Sequence, residues 1–332
     1  MNAICYSHYG GPEQLTLINI PTPDPKPGHV LVRVKAASIN SWDYDMLHAR
    51  AFIMRVLNGF TRPKYRVLGC DVAGVVEATG NNCHHWQPGD EVFGDIASAG
   101  FGSFAEFVAV PEELLARKPA ALSFHQAAAL PQAGLLAIQG LRNRGDVKAG
   151  QRVLINGAGG GVGPIALTYA KSRGAHVTAV DRAEKFNFLR ALGADELIDF
   201  TTTNYTQTGQ RYDKILDVVA HRTAAEYRNA LNPHGVFTMI GGSMGGLLLR
   251  MMIVEPLLSK FYNRKLGIMG YHVSREGLDE LVRLLETGVI QVAIDSTFPL
   301  AQTRAAFEHF ISGTFTGKIV IEIAANGTPA HR

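Results

Sequence analysis

Two short stretches carry residue types that can do chemistry. The first is Gly157-Ala158-Gly159-Gly160-Gly161-Val162-Gly163, which follows an apolar run at Arg152–Asn156 (RVLIN) and leads into a helical pattern at 162–173. Small residues there let the backbone come close to a pyrophosphate. The helix start behind them offers unpaired N–H groups and a partial positive charge to that anion. The strict GxGxxG pattern is not met. In the register ending at Gly163, Ala158 takes the first slot and is small enough for a tight turn. An acid, Asp181, follows 18 residues after Gly163, at the end of a second apolar run, 176–180 (HVTAV). Strand, small-residue loop, helix, strand and acid together are the context of a dinucleotide fingerprint. The second stretch is Asn40-Ser41-Trp42-Asp43-Tyr44, with His48 shortly after. It gathers an amide, a carboxyl and a phenol, groups able to orient a carbonyl or pass a proton.

The nucleotide preference follows from Asp181 and its neighbours. A carboxylate at the end of the second strand accepts hydrogen bonds from a ribose diol and would repel a 2′-phosphate, which favours NAD. Arg182 and Lys185 could instead bind that phosphate or stack on adenine. The reading leans to NAD and leaves NADP open.

The elements that must position these groups fall into two textures. The first third is β-rich, with strands expected at 30–36 (VLVRVKA), 72–79 (VAGVVEAT) and 105–110 (AEFVAV), separated by Gly/Pro/Asn/Asp turns. A hydrophobic run, 46–60, reads as a helical insertion. Near residue 122 the texture changes. Ser123 and Gln126 form a capping-box pattern ahead of a helix with a kink expected at Pro131. Short apolar strands then alternate with helices: strands at 152–156, 176–180, 196–199, 214–219, 236–240 and 265–269, helices at 162–173, 183–192 and 223–231. That alternation implies a doubly wound parallel sheet. The tail adds helices at 277–286 and 303–311 and a strand at 318–323 (KIVIEI).

Composition narrows the function classes. The chain has 332 residues, 46% of them hydrophobic, enough for roughly two domains with real cores. Its 32 basic and 29 acidic residues form no long basic run, which argues against nucleic acid as a partner. Cys5, Cys70 and Cys83 contain no CxxC pair, so neither a disulfide framework nor structural zinc is expected. The start lacks a signal-peptide pattern, and a reducing cytoplasm is the expected compartment. The apolar run 247–261 is too short to span a bilayer and carries Arg250, Glu255 and Pro256, so it reads as a buried or pocket-lining helix.

The whole chain resembles the medium-chain dehydrogenase/reductase superfamily, and within it the zinc-free quinone oxidoreductase-like branch. The segments MNAICYSHYGGPEQLTL, VLVRVKAASINSWDYD, GCDVAGVVEATG, QPGDEVFG, GSFAEFVAV, the glycine loop and TGKIVIEI carry the resemblance, in family order. It implies an α/β architecture: a GroES-like β-rich catalytic domain at 1–122, a Rossmann domain at 123–270, and a return to the catalytic domain at 271–332. It also implies a homodimer, with the sheet edge near 265–270. By the same resemblance, Val219 after the fourth Rossmann strand and Ile240, Gly241 and Gly242 after the fifth are cofactor contacts. Lys318 would approach the nicotinamide side or stand as a solvated strand start. The zinc-containing members hold their metal with a Cys, a His-Glu pair and a later Cys; here those positions read Asn40, Cys70-Asp71 and Gln132, and no zinc is expected.

Without a metal, hydride transfer is easiest toward an acceptor that spreads negative charge by conjugation, a quinone or an α,β-unsaturated carbonyl. The protein then supplies hydrogen-bond donors and a proton. Asn40 resembles the family's active-site Asn and could donate to the substrate oxygen or hold the nicotinamide, or satisfy a turn. Asp43 orients neighbours or caps a helix. Tyr44 could give the proton or form a pocket wall. These are the catalytic candidates. A small hydrophobic carbonyl or quinone is the expected substrate, with the apolar runs 46–60 and 245–262 lining its pocket. An alcohol/aldehyde dehydrogenase and a nucleotide-binding protein without turnover are the competing readings.

Overall fold

The computed structural model describes residues 1–242 and 245–323. The chain opens with an antiparallel pair, β1 (Asn2–Cys5) and β2 (Thr16–Asn19). Next come β3 (His29–Ser38), β4 (Asp71–Thr79), β5 (Glu91–Asp95), β6 (Phe107–Pro111) and β7 (Leu115–Arg117), joined antiparallel. In β3, Val32, Val34 and Ala36 are buried while Arg33 and Lys35 between them are half-exposed, the period-two pattern of a strand with one face on a core. The helical insertion expected at 46–60 is two helices, α1 (Ser41–His48) and α2 (Phe52–Asn58). Ala49 divides them: its φ of 43° is left-handed and ends α1. The kinked helix expected after Ser123 is likewise divided into α3 (Phe124–Ala129) and α4 (Pro131–Arg142), since Pro131 starts a helix readily but cannot continue one. Ser123 caps α3 with the expected reciprocal bonds to Gln126.

The middle of the chain alternates. β8 (Arg152–Asn156), α5 (Gly163–Ser172), β9 (His176–Asp181), β10 (Glu196–Asp199), β11 (Tyr212–Asp217), β12 (Leu231–Met239) and β13 (Lys265–Ile268) build a parallel sheet of order β10-β9-β8-β11-β12-β13. Strand order reverses at β8: the chain moves outward to β9 and β10, then returns to place β11 on the other side. Its core includes Leu154, Ile215, Met239 and the stacked rings of Tyr227 and Phe237, with centroids 4.0 Å apart.

The chain then returns through β14 (Ile294–Pro299) and β15 (Lys318–Glu322). β15 lies between β14 and β3, completing a seven-stranded sheet of order β14-β15-β3-β4-β5-β7, with β6 also paired to β3. Two compact units result. Of the described residues, one comprises Met1–Gln132, Val273–Arg283 and those from Ile294 to Ile323; the other comprises Ala133–His272 and Leu284–Ala293. Relative to boundaries drawn at 122 and 270, residues 123–132 stay with the first unit and 284–293 join the second.

Among the described residues no helix is long and apolar enough to cross a membrane. The run at 247–261 is three short helical pieces, of which Met251 and Glu255 are buried and most of the large apolar side chains are not. Leu249, Leu257 and Phe261 are exposed, so of the two expectations, a buried or a pocket-lining helix, the buried one is corrected.

Candidate functional site

In the second unit the candidate nucleotide site sits where strand order reverses, at the carboxyl ends of β8 and β11, the place where open α/β sheets bind ligands. The glycine loop leaves β8 through Gly157, whose φ of 81° suits glycine. Gly157 and Ala158 donate to the Val180 carbonyl at 3.0 and 3.2 Å, which pins the loop to β9. Asp181 continues this tie: Oδ2 accepts from Gly159 N at 2.7 Å, Oδ1 accepts from Arg182 N at 2.9 Å, and Lys185 Nζ lies 3.4 Å from Oδ1. Asp181 and Lys185 are buried; Arg182 is half-exposed, with its guanidinium 5.9 Å from the Phe200 ring centre. Asp181 and Lys185 are thus brought together as a pair.

The glycines differ in what they avoid. A Cβ on Gly163 would lie 2.0 Å from the Ala158 carbonyl oxygen, and one on Gly159 would lie 2.5 Å from Lys185 Cδ. A Cβ on Gly160 would meet nothing closer than the Gly157 carbonyl oxygen at 3.5 Å, an ordinary contact. Gly160→Ala is therefore expected to leave stability within about 1 kcal/mol of the parent. If the loop receives a pyrophosphate as its pattern implies, the added methyl should nonetheless weaken nucleotide binding by roughly tenfold or more, by holding phosphate off the backbone. Calorimetric titration with NADH beside a urea melt separates the two effects; unchanged affinity would remove the pyrophosphate from this face of the loop.

Val219, Ile240, Gly241 and Gly242 gather at the same sheet edge. Ile240 N donates to Asp217 O at 2.9 Å, Ala220 N donates to Gly241 O at 3.0 Å, and Ala220 bridges Gly242. Gly242 has φ 119°, and a Cβ there would lie 2.1 Å from the Ala220 oxygen. Val219 is exposed. The residue holding this edge together escaped the sequence reading: Asp217 is fully buried and accepts from Tyr205 Oη at 2.7 Å, Asn156 Nδ2 at 2.8 Å and Val219 N at 3.1 Å. Burial pushes its carboxyl pKa up. An acid ending an apolar strand, with Asn ending the neighbouring strand, was the available signal.

In the first unit the candidate catalytic stretch joins a buried polar cluster. Lys318, at the start of β15, is 3% exposed and so is no solvated strand start. Its ammonium donates to Ile39 O at 3.1 Å, Asn40 Oδ1 at 2.5 Å and Asp71 Oδ2 at 3.2 Å, engaging all three of its hydrogens. A lysine only donates, so it fixes which end of the Asn40 amide faces it. Asn40 Nδ2 then donates to Asp71 Oδ2 at 2.9 Å and to Ser38 O at 3.3 Å. Asp71 also accepts from Ser38 Oγ at 2.7 Å and from Gln132 N at 2.9 Å. Both Asn40 amide hydrogens are therefore engaged inside the protein. In this arrangement Asn40 positions its surroundings and has no donor left for a substrate oxygen.

Asp43 is fully buried and closes the start of α1, accepting from Asn40 N at 3.0 Å. Its other oxygen accepts from Gly69 N at 2.8 Å and Cys70 Sγ at 3.3 Å. Burial pushes its carboxyl pKa up to about 7, against the pull of the Gly69 and Asn40 amides and the Cys70 thiol. Unfolded, the group titrates near 3.8. Between those two values the folded chain keeps a proton that the unfolded chain has released. Its contribution to stability thus falls as pH rises from about 4 to about 7 and is flat on either side. Denaturant melts across that window should show a shallower decline in Asp43→Asn; an equal slope would clear Asp43 of the effect.

Tyr44 differs from the other two candidates. It is half-buried, its ring lies 4.0 Å from that of His48 and 6.0 Å from that of Phe310, and its hydroxyl has no hydrogen-bond partner among the described residues. Of Asn40, Asp43 and Tyr44, it is the one that is not buried and has a donor to offer.

The cluster is a poor fit for zinc. Asn40 faces Lys318, Asp71 is saturated with donors, and Gln132 Nε2 donates to the buried Asp95 at 3.2 Å. Burial holds the Cys70 thiol pKa well above its ordinary value. The Lys318 ammonium lies 3.2 Å from Asp71, and a second cation beside it would be repelled. Among the described residues no group of three or more His, Cys, Asp or Glu side chains could hold a metal ion.

Comparison with known proteins agrees with both halves. Residues 26–120 match the alcohol dehydrogenase GroES-like domain family and residues 192–321 match the zinc-binding dehydrogenase family. A chloroplastic quinone oxidoreductase of Triphysaria versicolor is 31% identical over 97% of this chain and 98% of its own length. An NADPH-dependent alkenal/one oxidoreductase of Arabidopsis thaliana is 31% identical over 97% of this chain and 79% of its own. The quinone oxidoreductase structure from Coxiella burnetii superposes with a TM-score of 0.87 at 28% identity, covering 98% of this chain and 99% of that one. A glycine loop at a strand-order reversal, a GroES-like sheet closed by its own C-terminal strand, and relatives alike over nearly the whole length place this chain in the medium-chain dehydrogenase/reductase superfamily, in its quinone oxidoreductase-like branch.

Proposed function

We propose that the chain reduces quinones or α,β-unsaturated carbonyls with a reduced nicotinamide dinucleotide and without zinc. The observation that carries this reading is the buried Lys318 ammonium, which joins Asn40 and Asp71 at positions where zinc-dependent members keep metal ligands. The names of the relatives, a quinone oxidoreductase and an alkenal/one oxidoreductase, support the acceptor class. The nicotinamide, when bound, supplies the hydride. The glycine loop holds the pyrophosphate, and the edge built on Asp217 carries Val219, Ile240, Gly241 and Gly242 as further cofactor contacts. Asp181 accepts from the ribose, with NAD as the preferred form. Asn40, Asp43 and Lys318 keep the first unit's site in shape, and the Tyr44 hydroxyl supplies the proton. A conjugated acceptor spreads the incoming charge, so a hydrogen-bond donor takes over what a Lewis acid does for a simple alcohol.

The reading extends to assembly and compartment. Among the described residues β13 has a neighbour on one side only, and we infer that a homodimer pairs the two β13 edges. Three free cysteines support a reducing compartment, with the cytoplasm as the proposed one.

Steady-state rates of metal-stripped protein, given NADH or NADPH with a quinone, an enone and an aldehyde, test the reaction. Turnover of quinone or enone that ignores chelator is expected. Activity lost on chelation and restored by zinc would overturn the zinc-free reading. Nucleotide binding without turnover on any acceptor would overturn the enzyme reading.

A further inference from the structure

We propose that the surface built on α2 docks the first unit onto an anionic lipid surface. Between residues 46 and 70 the chain has no Asp or Glu and five cations: Arg50, Arg55, Arg62, Lys64 and Arg66. On the same stretch Phe52, Ile53, Val56, Leu57 and Phe60 are exposed, Phe52 at 73% and Phe60 at 60%. Helical spacing puts the first four on one side of α2, and the Phe52 and Phe60 rings meet at 5.9 Å.

This outward apolar face is fixed. The opposite side of α2 is anchored through Met54, which is 1% exposed, and Asn58, which is fully buried. Asn58 Nδ2 donates to Tyr6 Oη at 2.7 Å, and its Oδ1 accepts from Tyr65 N at 3.0 Å. Tyr9 Oη donates to Gly59 O at 2.5 Å, and the Arg55 guanidinium lies over the Tyr9 ring at 4.9 Å. The helix is thus held with its polar anchors inward and its large apolar side chains outward, the reverse of an ordinary surface helix.

The charges select the occupant. Arg50, Arg62, Lys64 and Arg66 are exposed, and none forms an ion pair among the described residues. Two copies of this face would bring like charges together, whereas an anionic surface would match it. Exposed aromatic and aliphatic side chains flanked by cations are what an interfacial helix offers to headgroups and the upper acyl region. The other exposed apolar helix, Glu255–Tyr262, lacks this signature at its start: Glu255 pairs with both Arg250 and Arg228.

Sedimentation of the full chain with phosphatidylcholine vesicles, with and without phosphatidylglycerol, tests the proposal without substrate or nucleotide, so it stands apart from the reaction proposed above. Binding at least ~100-fold tighter to the anionic vesicles is expected, weakening as salt rises. F52S/F60S and R62Q/K64Q/R66Q should each lose about tenfold or more of that binding. Both change exposed side chains, and circular dichroism melts would verify that they fold. Absence of sedimentation, equal binding to neutral vesicles, or folded variants that bind like the parent would overturn the proposal. So would a concentration-dependent dimer that dissolves in F52S/F60S, which would give the face to a second copy.

Discussion

Lys318→Met is expected to destabilise the first unit by roughly 3–5 kcal/mol, the usual effect of removing one member of a buried ion pair. Methionine replaces the lysine stem with similar bulk, so packing changes little and the loss is electrostatic. Asp71, fully buried, keeps its bonds from Ser38, Asn40 and Gln132 but loses its only ion-pair partner among the described residues. Asn40 Oδ1 and the Ile39 carbonyl lose a donor at the same time. Urea unfolding reads the effect directly. The double variant Lys318→Met/Asp71→Asn should recover a large part of it, because the stranded charge is gone; the cycle of single and double variants isolates the pair. A loss under about 1 kcal/mol in the single variant would show that the ammonium is not what makes Asp71 tolerable.

Asp181→Ser should move cofactor preference toward NADPH by about tenfold or more in the ratio of kcat/KM values, a change near 1.4 kcal/mol. Two effects point the same way. Loss of the carboxylate removes repulsion of a 2′-phosphate, and it releases Lys185 from its pair with Asp181, so a cation can turn to that phosphate. The Gly159 amide also loses the acceptor it holds at 2.7 Å, so the loop loosens and KM should rise for both nucleotides. The ratio is therefore the informative quantity. An unchanged ratio would mean that Asp181 serves only to tie Gly159 and Lys185 together and never meets the ribose.

Much of this architecture was legible in the sequence, for identifiable reasons. β8 and β10 lie where the apolar runs put them. One strand of the first unit gave no such pattern. β14 (IDSTFP) has no alternation and is defined by its pairing with β15. The strand expected at 214–219 stops at Asp217 because that side chain turns back to bond Val219 N. In the site, residue types pointed to Asn40, Asp43 and Tyr44, but their roles depend on partners far away in sequence. Nothing local to Asn40 says that a lysine 278 residues later occupies its oxygen. Side chains whose work is to satisfy one another, such as Asp71, Gln132 and Asp95, leave no spacing signature at all.

The return of the chain to its first sheet also sets an order of events during synthesis. β3 and β4 can pair as soon as residue 79 has emerged, and Asp71 is then folded inward. Its counter-charge arrives with β15, after the whole second unit has been made. Until then the Ala36–Ser38 end of β3 lacks its second neighbour and the buried carboxylate lacks its cation, so the first unit closes last although it begins first. A chain stopped between Ala293 and Lys318 would hold every residue of the second unit but lack the strand that pairs with the Ala36–Ser38 end of β3. β15, the last strand among the described residues, therefore brings the first sheet its missing neighbour and its missing charge in one step.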